Sequence, residues 1–153
     1  MTPYGDLHEI QALLHAFRDF AECVVTSVLW SHYGTEVTIR IVYVWETDGT
    51  VRADDKPARM VDLTCTIVQE LMVHNRLSPW ITADISKLNW GFGEISLITA
   101  TPKEDQPDAG DIHVHQFHKM TLWRENGAWI EVVFSKLSMT EFLGPADWSG
   151  TNS

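Results

Sequence analysis

The stretch "EVTIRIVYVWE", residues 36–46, limits the fold more than any other part of the chain. Val37, Ile39, Ile41, Tyr43 and Trp45 fall on one side of an extended backbone, and Thr38, Arg40, Val42 and Val44 on the other. A period of two with one apolar side is the pattern of a β-strand that faces a core. Just before it, "CVVTSVLW" predicts a strand from about Val24 to Trp30, with "HYG" as the turn between them. Consecutive strands joined by so short a link pair antiparallel.

The same period returns further on. In "RMVDLTCTIVQEL", Val61, Leu63, Cys65 and Ile67 share one face, and Asp62, Thr64 and Thr66 the other. "VQELMVHNRL" reads as an extension of that strand or a second short one, and "FGEISLITAT" as another. "SPWITADISKLNWG" is an irregular connection with a helical turn near Ile85. Asp48-Gly49 marks a turn within "TDGTVRADDKP". Ahead of all these, "GDLHEIQALLHAFRDF" has the helical period: Leu7, Ile10, Leu14 and Phe17 form one stripe. Asp6 is placed to cap that helix, with Glu9 three residues on. The expected fold is α+β, mainly β: an antiparallel meander of about six strands, strongly curved or closed towards a barrel, with the helix of residues 6–20 packed on it. Residues 1–144 read as a single domain and 145–153 as a polar tail.

The last third predicts a hairpin around "RENGA". A two-residue Asn126-Gly127 turn would mix the apolar and polar patterns of the two arms. A three-residue loop, Glu125-Asn126-Gly127 with Gly127 left-handed, keeps them matched. It sets Leu122 opposite Ile130, Met120 opposite Val132 and His118 opposite Phe134. Trp123 then faces Trp129 on the non-core side, and Glu131 lies near Lys119 and Thr121.

"HVHQFH" holds three of the seven histidines. Alternation puts His113 and His115 on the polar face and turns His118 inward. Two histidines fall short of the donors zinc needs, and neither neighbour supplies a third. The chain has no G-x-S-x-G elbow, Walker loop, H-E-x-x-H or C-x-x-C. No cofactor is implied, and catalysis is not expected. A hydrolase or metal-dependent enzyme using His113 and His115 is the least favoured reading.

The formal charge is -10, from 21 acidic and 11 basic side chains. Such a surface repels nucleic acid and anionic membranes and favours a basic partner. Cys23 and Cys65 lie in apolar strands and read as buried free thiols. No apolar run approaches the roughly 20 residues that span a bilayer, and no secretory signal is apparent, so a cytoplasmic location is expected. The candidate contact residues are the tryptophans Trp123 and Trp129, the pair His113 and His115, and the acids Asp48, Asp54, Asp55, Glu104, Asp105 and Asp108 of two turn-rich loops. Whether the helix covers the tryptophan face stays open at this level. A homodimer that hides an open sheet face is a further expectation, as is a small-ligand pocket within a curved sheet.

The run "LLHAFRDFAECVVTSVLW", followed by the amphipathic strand and later by "ISLITAT", resembles small bacterial toxin-immunity domains of the immunity protein 50 type. "KMTLWRENGAWIEVVFSKLSM" is similar in style. The resemblance covers the N-terminal part as far as Trp45 and the final hairpin. Where that family tends towards a His-Asp pair after the helix, this chain has Ala21-Glu22. The resemblance implies a binding protein without catalytic residues, which neutralises a toxin domain inside the producing cell.

Overall fold

The computed structural model describes residues 3–46, 48–53, 57–75, 83, 84, 86, 93–103 and 116–144. Among these are one helix, α1 (Leu7–Ala16), and eight strands. The strands are β1 (Val24–Ser31), β2 (Glu36–Tyr43), β3 (Arg59–Thr66), β4 (Glu70–Val73), β5 (Leu97–Pro102), β6 (His118–Arg124), β7 (Gly127–Phe134) and β8 (Lys136–Leu143). The fold is α+β and mainly β. The expected single meander of about six strands is replaced by two four-stranded antiparallel sheets, ordered β1-β2-β3-β8 and β4-β7-β6-β5.

The sheets meet at a corner that explains the difference. Thr66 pairs with Lys136 in the first sheet, and Glu70 with Val133 in the second. From 66 to 70 is four steps, whereas from 136 to 133 is three, so one strand carries an extra residue. Ile67 takes up the bend with φ at 55°. The Ser135 N–H donates to the Thr66 carbonyl at 3.2 Å, and the Gln69 N–H to the Val133 carbonyl at 2.8 Å. Two paired strands therefore turn together from one sheet into the other, as a bulge allows.

Alternation then fills one core from both sheets. Ile39, Ile41, Leu63 and Cys65 enter it from the first sheet, and Met120, Leu122, Ile130, Val132 and Phe134 from the second. The helix packs against β5 and adds Ile10 and Leu14, both fully buried. Burying those two side chains is worth about 3–6 kcal/mol. The Asp6 cap accepts from the His8 N–H at 2.9 Å and adds only about 1 kcal/mol, so packing holds the helix in place.

After α1 the chain makes a left-handed turn, with φ of 57°, 52° and 56° at Arg18, Asp19 and Phe20. Left-handed backbone costs about 1–2 kcal/mol per residue. It lets Phe20 bury completely and stack on Phe17 at 5.5 Å, with Tyr43 edge-on to both rings. The predicted turn at Asp48-Gly49 is present. Gly49 has φ 88°, the Asp48 carboxylate accepts from the Thr50 N–H and hydroxyl, and Trp45 bridges to Val51 behind it. Gly93 lies where a Cβ would come within 2.6 Å of the Val25 carbonyl oxygen, a close approach that only glycine permits. The predicted helical turn at Ile85 and the 145–153 tail lie outside the described residues.

Candidate functional site

The outer face of the second sheet follows from strand alternation. The residues that point away from the core are Glu70 and Met72 on β4, Glu131 and Val133 on β7, Lys119, Thr121 and Trp123 on β6, and Leu97, Thr99 and Thr101 on β5. Among the described residues the helix does not cover this face: it sends its stripe into the core, and Trp123 keeps 38% of its surface exposed, whereas Thr121 and Val133 are buried.

Glu131 stands near the centre. Its Oε1 lies 2.9 Å from Lys119 Nζ, and its Oε2 lies 3.0 Å from His74 Nε2. These two donors, Lys119 first, hold the carboxyl below its usual range. Both oxygens are engaged, so the group is a weak proton acceptor at neutral pH and serves instead as a fixed charge. Beside it is a cleft of about 320 Å³, bordered by Glu70, Met72, Lys103 and Lys119. Among the described residues no three His, Cys, Asp or Glu side chains converge well enough to hold a metal ion. Nor are the thiols nucleophiles. Burial pushes Cys23 up to about 12 and raises Cys65 as well, so neither is ionised at neutral pH.

Trp123 lies at the other end of the face. Its indole N–H donates to Thr99 Oγ1 at 2.8 Å, which fixes the ring on the surface. The Ser96 N–H donates to the Trp123 carbonyl at 2.7 Å. Two residues before Ser96 stands Glu94. The Glu94 carboxyl is raised by burial and then by repulsion from Glu22 and Glu125.

The predicted contact residues separate. Trp123 is on the open face, but Trp129 is not beside it. Trp123 pairs with Ala128, and the register shifts between Leu122 and Trp123. Trp129 is only 8% exposed and belongs to the core cluster. The Arg124 guanidinium stacks over its ring at 3.5 Å, and its indole N–H donates to Asn75 Oδ1 at 3.2 Å. Burial lowers Arg124 to about 10. The predicted three-residue loop is replaced by a two-residue turn, Glu125-Asn126, with Arg124 opposite Gly127 and the extra residue at Trp129; from Leu122 on the predicted register holds, with Leu122 facing Ile130, Met120 facing Val132 and His118 facing Phe134.

His118 is buried, and its Nε2 lies 2.8 Å from the Gly5 carbonyl oxygen. A carbonyl can only accept, so Nε2 carries the proton and the ring ties the N-terminal segment to the sheet. Asp48 is exposed at its hairpin tip. His113, His115, Asp54, Asp55, Glu104, Asp105 and Asp108 lie outside the described residues. Sequence reasoning missed His74 and Met72 as surface residues. Met72 lies on β4 and His74 just after it, and the short "ELMV" pattern is too brief to assign faces.

No family model matches the chain, and no curated protein matches it. Among solved structures, the chain is similar to the crystal structure of an uncharacterized protein from Neisseria gonorrhoeae. The TM-score is 0.48 and the identity 8%, over 78% of this chain and 90% of that one. Among the described residues no helix is long and apolar enough to cross a membrane.

Proposed function

We propose that this chain is a non-catalytic binding protein that neutralises a basic toxin domain, as its resemblance to immunity proteins implies. The partner docks on the open face of the second sheet. The observation that carries this reading is Trp123, half-exposed on that face and held there by Thr99. A fixed, half-exposed tryptophan supplies contact area with little entropy left to lose. The net charge of -10 favours a basic partner and speeds its approach. The engaged Glu131 carboxylate and the buried, un-ionised thiols suit recognition better than turnover.

The test is titration of the purified protein against the toxin domain encoded beside its gene, together with an assay of that toxin's activity. Tight binding with loss of toxin activity supports the reading. Absence of affinity removes it.

A second reading is a small-ligand binding domain. It is favoured by a cleft of about 390 Å³ between α1 and β5, lined in part by Leu14, Ile98 and Ala100. That volume is within the range of ligand sites. A ligand screen that raises the melting temperature, and loses its effect in Ala100→Phe, would favour it over protein docking.

A further inference from the structure

Each sheet has two edge strands, and three of the four carry recognisable protection against pairing with another chain. On β5, α1 lies against the strand, Gln11 Nε2 donates to the Ala100 carbonyl at 2.8 Å, and Pro102 offers no N–H. On β8, the backbone of Tyr4 pairs with Leu137 in both directions, at 2.7 and 2.8 Å, and Lys136 and Glu141 add charge. The β4 edge is four residues long and begins with Glu70. Short, charged, covered or proline-bearing edges are how soluble proteins avoid edge-to-edge association.

The fourth edge, β1, differs. Glu94 bridges Val24 at its start, but from Ser27 to Ser31 no described residue pairs with its outer side. From Cys23 to Thr35 the chain has no Asp, Glu, Lys or Arg, the longest such run in the sequence. Leu29 is 61% exposed, Trp30 63%, and Tyr33 fully exposed at the adjoining turn. The Trp30 indole N–H donates to the Gly34 carbonyl at 2.8 Å, so the ring is held in place rather than free to fold away.

We propose that β1 pairs antiparallel with β1 of a second copy, around a two-fold axis at Leu29, to give a dimer with a continuous eight-stranded sheet. That axis sets Leu29 against itself, Val28 opposite Trp30 and Ser27 opposite Ser31. Val with Trp is a favourable cross-strand pair. A second copy fits this edge better than a basic partner does, because β1 offers a basic strand no carboxylate to meet. The same neutrality lets two chains of charge -10 approach at this edge without like charges touching. The contact is isologous, so it closes at two copies.

The test is sedimentation velocity of the full chain across a wide concentration range, for wild type, Leu29→Lys, Trp30→Lys and the control Val51→Lys. Val51 is equally exposed but lies away from β1. Circular dichroism verifies that each variant is folded. The expected result is a concentration-dependent dimer, weakened at least about tenfold in both β1 variants and unchanged in the control. Added salt should strengthen it by screening the net repulsion. A monomer at every concentration overturns the proposal. So does a dimer that survives Leu29→Lys and Trp30→Lys, or one that salt dissociates.

Discussion

Lys119 on β6 reaches diagonally to Glu131 on β7, with Nζ 2.9 Å from Oε1, and His74 engages the other carboxylate oxygen. One carboxylate thus links β4, β6 and β7 on the outer face. The pairing is partly solvated, which keeps its worth small.

Glu131→Gln should cost about 0.5–1.5 kcal/mol at pH 7. The folded-state carboxyl is held below its ordinary value of 4.5, so its contribution is present above pH 4.5 and is lost as pH falls through the lower folded value. Urea denaturation of both proteins from pH 7 down to 3 checks this. The gap between the two should narrow on acidification; a gap that widens would contradict the assignment.

Glu94 should behave in the opposite way. Its carboxyl is raised in the folded state by burial and by Glu22 and Glu125, so ionising it works against folding. Stability from this group is fully present below pH 4.5 and is lost as pH rises through the folded value. Glu94→Gln is therefore expected to be more stable than wild type at pH 7, by up to about 1 kcal/mol, with no advantage in acid. The same variant should bind a basic partner more weakly, because residues kept for binding often cost stability. Thermal melts and partner titration of one protein preparation read both effects.

Removing the His118 ring should be costly. It is 3% exposed, lies edge-on to Phe134 and donates to the Gly5 carbonyl. His118→Ala leaves that acceptor unpaired and opens a cavity, for a loss of about 2–4 kcal/mol. Chemical denaturation measures the loss. Hydrogen exchange of the Leu137 amide, which donates to Tyr4, should quicken as the N-terminal segment loosens.

Much of this arrangement is legible in the sequence. The alternation in β2 and β3 places Val37, Ile39, Ile41, Val61, Leu63 and Cys65 in the core, where they are found. The hairpin register from Leu122 to His118 also follows from matching apolar faces. The location of its extra residue does not. A Gly127 in the loop and an extra residue at Trp129 give the same pairing beyond Leu122, but they differ in the partners of Trp123 and Arg124, which are Ala128 and Gly127. The corner is hidden for a related reason. It is made by Ile67, a β-branched residue in a left-handed conformation, and by Ser135, neither of which signals a bend. At the site, alternation identifies Trp123 and the Lys119–Glu131 pair. His74 arrives through tertiary pairing of a strand too short to read.

Docking of a protein partner on the Trp123 face is best read by titration calorimetry of any toxin domain encoded beside the gene with wild type, Trp123→Ala and Trp30→Ala. Trp123→Ala should bind about 30-fold or more weakly, the loss expected for a central aromatic anchor, with little change in stability because the ring is partly exposed. Trp30→Ala, on the other sheet, should bind as wild type does. Equal affinity for wild type and Trp123→Ala, or no binding by either, would rule out docking through this face.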